Sequence, residues 1–410
     1  MYLNGHSYYS YKYGILSLEE LVQYTLEKGY THLALSDVNS SSGWVDLIRF
    51  SEKHGLSPSL GIDFRNSAEQ CYVGIAVNEE GRHELNRFLS EHLMEKKDFP
   101  DRTPYFEHAI VVYPFNRIGH FDFAQCPLLV NEYIGLAPED LNRFRFSKLG
   151  KQFLSEDRAK IVLLHTATFR NKRDFNTHRL LRAMDKNTLL SMLPSNEQGK
   201  ESDRMWSREE LEKHFEESPW ILENTQTLLE KTNVDTQAGF APREDGQHLN
   251  LQCYSGSKEE DERLIRALCE AGLPYRYPQA SPEVHARVEK ELNIIIRQGF
   301  VSYFLINWDI VNYARKQGYF YVGRGSGANS VVAYLLRITD VDPIELDLYF
   351  ERFINLFRST PPDFDMDFSW ADREDITRYI FERFPTACLL GAYSTFQFRA
   401  ARRELGKVFG

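Results

Sequence analysis

Apolar residues recur at helical spacing near the start of the chain. Leu18, Leu21, Val22 and Leu26 fall on one helix face, Ser17 and Glu20 form a capping box ahead of them, and Gly29 is placed to end the helix. A helix over about 18–28 is predicted. The next apolar run, 32–36, is short and uninterrupted, as a strand covered on both faces would be. The unit then repeats: 44–54 has helical period, Gly55 closes it, and Leu60, Gly61 and Ile62 enter another strand. Further strand signals lie at 72–77, 108–113 and 160–164. This alternation predicts an α/β fold with a parallel sheet or barrel. Functional groups gather at the carboxyl ends of strands in such folds, which singles out His6, Asp37 and Asp63.

From about 190 to 250 the strand pattern stops. Ser207 and Glu210 form a second capping box, 207–234 reads as one or two charged helices broken near Pro219, and 237–250 has the polar make-up of a linker. A domain boundary is expected near 235. Beyond it, Ser281-Pro282 opens a helix with Val284, Val288, Leu292 and Ile295 on one side and Gly299 at its end. A second helix runs to Gly318, 319–322 is strand-like, and Gly323-Arg324-Gly325-Ser326-Gly327 leads into 328–336, which has helical character. No internal repeat or low-complexity tract interrupts this order.

Composition narrows the class. At about 150 residues per domain, 410 residues imply two to three domains. With 42% hydrophobic and 26% charged residues the chain is neither disordered nor collagenous. It lacks an apolar run of the roughly eighteen residues a membrane helix needs, and its first residues lack a signal-peptide pattern, so a cytoplasmic location is expected. The five cysteines include no C-x-x-C pair and read as reduced thiols. A net charge of −10 excludes a uniformly basic nucleic-acid sleeve. It leaves open an enzyme that meets phosphate through a local groove and metal ions. The last fifteen residues, with Arg399, Arg402, Arg403 and Lys407 against Glu404, form a local basic helix.

The chemistry concentrates late in the chain. A strand, a glycine loop and a helix start can hold phosphate oxygens on backbone N–H groups, with Ser326 as a donor and Arg324 adding charge. Taken alone, 323–327 is equally consistent with a tight turn, since it ends in neither a Walker nor a dinucleotide fingerprint. Pro362-Asp363-Phe364-Asp365-Met366-Asp367-Phe368 is more specific. On a strand, period two puts the three carboxylates on one face and Phe364, Met366 and Phe368 in the core. Unpaired like charges side by side repel, and a divalent metal would neutralise them. A calcium loop starting at Asp363, with Glu374 at its twelfth position, fails because Phe368 stands where the turn needs glycine and Pro361-Pro362 blocks an entering helix.

These segments carry two resemblances. NGHSYYS, LALSDVNSSSG, GIDF and YVGIAVNEEGRHEL in the first third resemble the polymerase and histidinol phosphatase (PHP) domain, a distorted β/α barrel that holds a metal cluster in active members. The ligand pattern is altered here: Asn4-Gly5-His6 stands for H-x-H, Asp37-Val38 for Asp-His, Gly61-Ile62-Asp63 for Gly-x-Glu, Cys71 replaces a histidine, and 166–172 lacks an Asp-x-His. With most donors gone, a vestigial site at His6, Asp37 and Asp63 and loss of its metals are expected.

VGRGSGANSVVAYLLRITDVDPIELDLYFERFINLFRSTPPDFDMDF, with RQGFVSYFLINWDIVNYARKQG before it and FQFRAARRELGKVFG after it, resembles the palm of the bacterial DNA polymerase III alpha family. The implied architecture is an α/β multi-domain chain: a PHP-type distorted β/α barrel over 1–235, a palm with a nucleotidyltransferase-like sheet over 236–394, and the start of a thumb at 395–410. The resemblance implies that Gly325 and Ser326 hold the triphosphate. Asp363 and Asp365 would bind Mg2+, with Mn2+ as substitute, supported by Asp367, and Arg324 and Arg352 are candidate triphosphate contacts. It also implies primer-template DNA, deoxynucleoside triphosphates and, in the full-length protein, a sliding clamp and other replisome subunits as partners. A third catalytic aspartate and the fingers would lie past Gly410, so the chain is expected to be an inactive amino-terminal piece of a polymerase. Two other classes stay open: a PHP-type phosphoesterase or 3′ exonuclease, which the missing histidines oppose, and a non-catalytic scaffold, which PDFDMDF opposes.

Overall fold

The computed structural model describes residues 2–120, 127–232, 253–355, 363–392 and 395–410. They fall into two compact units, Met1–Pro242 with Ser394–Gly410, and Arg243–Tyr393. The boundary expected near 235 and the linker at 237–250 lie outside the described residues.

In the first unit, β1 (Tyr2–Gly5), β2 (His32–Val38), β3 (Ser57–Asn66), β4 (Glu69–Ala76), β5 (Ala109–Pro114), β6 (Glu132–Leu136) and β7 (Ile161–Leu163) form one sheet in sequence order. The expectation of a parallel sheet needs correction, because β4 runs antiparallel to both β3 and β5. Only Ser67 and Ala68 separate β3 from β4, and a parallel crossover needs a dozen residues or more. The sheet curls toward closure. Beyond β7, the Ala167 N–H donates to the Asn4 carbonyl (3.0 Å) and the His6 N–H to the Ala167 carbonyl (2.9 Å). Strand β6, with Asn131 and Glu132 at its start, carries no apolar alternation and was not anticipated.

The expected helices form where the caps place them. Ser17 and Glu20 make both bonds of the capping box of α1 (Leu18–Glu27). Helix α2 (Trp44–His54) ends at Gly55 with φ +71°. Helices α3 (Glu79–Glu95), α4 (Leu141–Phe146), α5 (Lys148–Glu156), α6 (Lys172–Asp185) and α7 (Arg208–His214) follow. The connector stretch belongs to the barrel wall: Thr225 of α8 (Trp220–Lys231) accepts from the Leu163 N–H at 2.8 Å, and Leu228 and Leu229 join the cluster of Leu3, Ala34, Val73, Ile75, Val112 and Val162.

The second unit is mainly helical, with α9 (Lys258–Arg276), α10 (Pro282–Arg297), α11 (Val301–Gln317), α12 (Val331–Leu335) and α13 (Arg373–Arg383). Val284, Val288, Leu292 and Ile295 of α10 bury the predicted face against Phe304, Leu305, Phe350 and Phe353. Its described sheet is an antiparallel pair, β8 (Tyr321–Arg324) and β9 (Asp365–Phe368). The basic helix α14 (Phe398–Phe409) groups with the first unit and packs against α6. No single helix among the described residues is long and apolar enough to cross a membrane.

Phe304 is fully buried, with the rings of Phe353 and Phe364 within 6.0 and 5.1 Å of its own. Truncation leaves a cavity beneath β9. Phe304→Ala is expected to destabilise the second unit by about 3–5 kcal/mol, read as a lower urea midpoint through Trp308 fluorescence.

Candidate active site

Two places hold the residues that the sequence singled out, one in each unit. In the second, the β8–β9 register sets Arg324 opposite Asp365 and Val322 opposite Asp367. Strand period then does what the pattern predicts: Asp365 and Asp367 are exposed while Met366 and Phe368 are half-buried. Asp363, just ahead of the strand, is exposed, and Phe364 lies on the rings of Tyr303, Phe304 and Phe353.

The glycine loop adjoins this face. Gly325 has φ +77°, and a Cβ there would lie 2.7 Å from Asp365 Oδ2, so only glycine leaves the carboxylate room. At Gly327 a Cβ would meet the Phe364 ring at 2.6 Å. The backbone at 325–329 is a 3-10 turn, and the Asn329 side-chain amide donates to the Ser326 carbonyl at 2.8 Å. The helix that follows is much shorter than the expected 328–336: α12 has five residues, capped by Ser330, whose hydroxyl accepts from the Ala333 N–H at 3.1 Å.

Arg324 corrects one expectation. It belongs to β8, and its Nε lies 2.7 Å from Asp367 Oδ2 with Nη1 3.7 Å from Asp365 Oδ2. Two of the three carboxylates are therefore not unpaired: one guanidinium charge is shared between Asp367, which it bonds, and Asp365, which it approaches. All three side chains are half or more exposed (59% for Arg324, 50% for Asp365, 59% for Asp367), so the pair is held weakly and can be exchanged. Arg352 is exposed in a turn at Phe350–Arg352, and among the described residues its side chain joins neither the loop nor the aspartates.

In the first unit His6, Asp37 and Asp63 are all buried. Asp63 Oδ2 accepts from Arg65 Nη2 (2.7 Å), Arg65 Nε (3.0 Å) and Gln70 Nε2 (2.9 Å), and it lies 3.0 Å from His6 Nε2. The other His6 nitrogen lies 2.9 Å from Thr168 Oγ1, in the segment that lacks Asp-x-His, and Asn4 donates to Thr166 Oγ1 at 2.8 Å. Asp37 accepts from the Ser7 N–H (2.7 Å), Ser7 Oγ (2.8 Å) and Ser10 Oγ (2.7 Å).

Burial alone would push both carboxyl pKa values up. It does so for Asp37, where the serine hydrogen bonds only partly oppose it. At Asp63 the Arg65 charge and His6 outweigh burial and hold the carboxyl below its usual range. Nearby His178 is pushed down to about 4 by burial and stays neutral, 2.7 Å from the Tyr13 carbonyl. Asp37, His6 and one oxygen of Asp63 are thus engaged by the protein, with the Arg65 guanidinium beside Asp63, while Asp63 Oδ1 and Asn4 Oδ1 are buried without a hydrogen-bond partner. Arg65 escaped the sequence reading, although its signal was present: residues 63 and 65 of a strand share a face. Among the described residues no three His, Cys, Asp or Glu side chains gather to hold a metal ion.

A curled barrel of this kind, followed by a strand pair with a glycine turn beside aspartates, defines a PHP domain and a polymerase-type palm in one chain. Residues 3–143 match the PHP domain, and residues 263–410 match the bacterial DNA polymerase III alpha NTPase domain. Through both matches the chain is similar to bacterial DNA polymerase III alpha subunits. An error-prone DNA polymerase of Symbiobacterium thermophilum is 28% identical over 456 residues, covering 100% of this chain and 41% of the relative. The DNA polymerase III subunit alpha of Bacillus subtilis is 28% identical over 440 residues, again across 100% of this chain and 38% of its own length. The chain spans about two fifths of the length of the curated relatives it matches.

Arg65→Met would leave a buried carboxylate without its counter-charge. It is expected to cost about 3–5 kcal/mol near neutral pH. In the wild type, the ionised Asp63 contributes stability above the ordinary carboxylate range and loses it as pH falls through its lowered pKa. In the variant, burial favours the neutral acid, so the deficit should shrink between about pH 7 and about pH 4. Adding Asp63→Asn should recover part of it; urea unfolding across pH checks both signs.

Proposed function

We propose that this chain supplies the PHP barrel and the triphosphate-binding part of the palm of a DNA-directed DNA polymerase, a cytoplasmic enzyme that adds deoxynucleotides to a primer 3′ end on template DNA. The observation that carries this reading is Gly325, whose positive φ and missing side chain bring a polar turn against Asp365. A phosphate held on that turn would lie beside carboxylates, the arrangement that metal-assisted phosphoryl transfer requires.

The donor set fits magnesium, which is bound by one or two carboxylates together with substrate phosphates and does not need an all-protein cage. Asp363 and Asp365 would hold Mg2+, or Mn2+ in its place, with Asp367 supporting them. When bound, the metal neutralises developing charge on the attacking and leaving oxygens of an in-line displacement. Gly325 lets the triphosphate approach, and Ser326 offers a hydroxyl donor. Arg324, attached to the carboxylates only at the surface, can exchange them for phosphate oxygens once their charge is otherwise met. Arg352 is a further phosphate contact in the same reading. In the whole protein, a sliding clamp and other replisome subunits would be its protein partners. The barrel is proposed to be hydrolytically silent, because Arg65 and three hydroxyl-bearing residues already occupy its carboxylates and histidine.

A Mn2+ titration followed by paramagnetic broadening and melting temperature tests the metal assignment. Wild type should gain stability with metal, and Asp365→Asn should lose most of that gain. Because Asp367 keeps its bond to Arg324, the metal-free variant should stay within about 0.5 kcal/mol of wild type. Glu210→Gln, in an exposed helix cap of the other unit, should leave the metal response unchanged. Equal metal responses in wild type and Asp365→Asn would move the ion elsewhere.

Incubation of the 410-residue chain with labelled primer-template, deoxynucleoside triphosphates and Mn2+ tests both enzymatic readings at once. The primer is expected to be neither lengthened, since one strand supplies the only proposed metal carboxylates, nor shortened. Extension that Asp365→Asn abolishes would show a complete active site here. Shortening that His6→Ala abolishes would restore the hydrolase reading.

A further inference from the structure

An ion pair with a fully buried carboxylate lies beneath the glycine turn and has no part in the chemistry proposed above. Glu291, on the inner side of α10, is 0% exposed, and Arg287 one turn earlier donates from Nε to its Oε1 at 2.6 Å. The second oxygen, Oε2, accepts from Ser330 Oγ at 2.8 Å and from the Val332 N–H at 3.3 Å. The Arg287 fork continues the network, with Nη2 donating to the Asn329 carbonyl (3.2 Å) and the Leu348 carbonyl (2.9 Å). Asn329 in turn holds the Ser326 carbonyl. One charged pair on a long helix therefore fastens the chain at 329, 330 and 332, and through Asn329 reaches Ser326.

Such a pair is a poor choice if stability is its only purpose. Taking the Glu291 charge wholly and most of the Arg287 side chain out of water is expensive, and well-packed apolar residues of the same volume often serve as well or better. Burial does raise the Glu291 pKa, with Arg287 and Ser330 opposing it. What an apolar pair cannot do is hold backbone carbonyls and hydroxyls at fixed directions. The turn needs that help, because Gly325 and Gly327 give it freedom and α12 is only five residues long.

We infer that Arg287 and Glu291 are positioning residues for the nucleoside triphosphate: they set the 325–330 turn so that its donors and Ser326 meet the phosphates beside Asp365. This inference rests on the proposed palm function and deepens it.

The test uses the full 410-residue chain and three measurements: melting temperature, Mn2+ affinity in the absence of nucleotide, and dATP affinity in the presence of Mn2+. Arg287→Gln should weaken dATP binding about tenfold or more, since small misplacements at a phosphate site are costly, while Mn2+ alone binds within about twofold of wild type. Because that variant also loses stability, the double variant Arg287→Met with Glu291→Leu is the decisive arm. Its apolar pair should recover the melting temperature but not dATP affinity. If dATP affinity returns together with stability, or never fell, the pair is structural only and the inference is overturned. If wild type binds no dATP, or binds it equally well after Asp365→Asn, the palm reading itself fails and takes the positioning role with it.

Discussion

Carboxylates crowded onto neighbouring strand positions must have positive charge or hydrogen-bond donors beside them, and most of what is distinctive in this chain follows from how that need is met. In the barrel, Asp63 takes the Arg65 guanidinium at 2.7 Å and Asp37 takes three donors from Ser7 and Ser10. In the palm, Arg324 spans Asp365 and Asp367. The same chemistry, arginine against aspartate on one strand face or across two strands, appears in both units.

Burial makes the two cases behave differently. Around Arg65 the dielectric is low and both partners are nearly inaccessible, so separating them would strand two charges inside the protein. That pair acts as a fixed part of the barrel. Arg324 is half exposed, solvent screens its attraction, and another cation can replace it at little expense. The second arrangement is the one that the proposed exchange of metal and phosphate at this strand end would need. The first arrangement accompanies a barrel in which Asn4, Val38 and Cys71 stand where the resemblance places metal ligands.

The palm adds a second level of control. Its described sheet has two strands, and the glycines of the adjoining turn also loosen it. Rigidity comes from the helices behind: the aromatic cluster of Tyr303, Phe304 and Phe353 supports Phe364 between the aspartates, and the Arg287–Glu291 pair supports the turn's far end. Backbone freedom is thus confined to the few residues of the glycine turn.

Local order was legible in the sequence. The capping boxes at Ser17 and Ser207, the proline-led start of α10 and the glycine ends at 55 and 318 gave helix limits within a residue or so, since each depends on atoms a few positions away. The alternating face of PDFDMDF was equally clear, because strand period is a local property. Four features were not: the antiparallel insertion of β4, the strand β6 that starts at a buried Glu132, the partnership of Arg65 with Asp63, and the hold of Arg287 and Glu291 on a turn some forty positions later. A lone arginine or glutamate in a helix or strand reads as surface charge until the fold brings its partner within three ångströms. The sequence determined which elements form and which residue types could do phosphate and metal chemistry. The tertiary structure decided which charges are neutralised internally and which stay exchangeable, because burial and distance between remote positions exist only once the chain has folded.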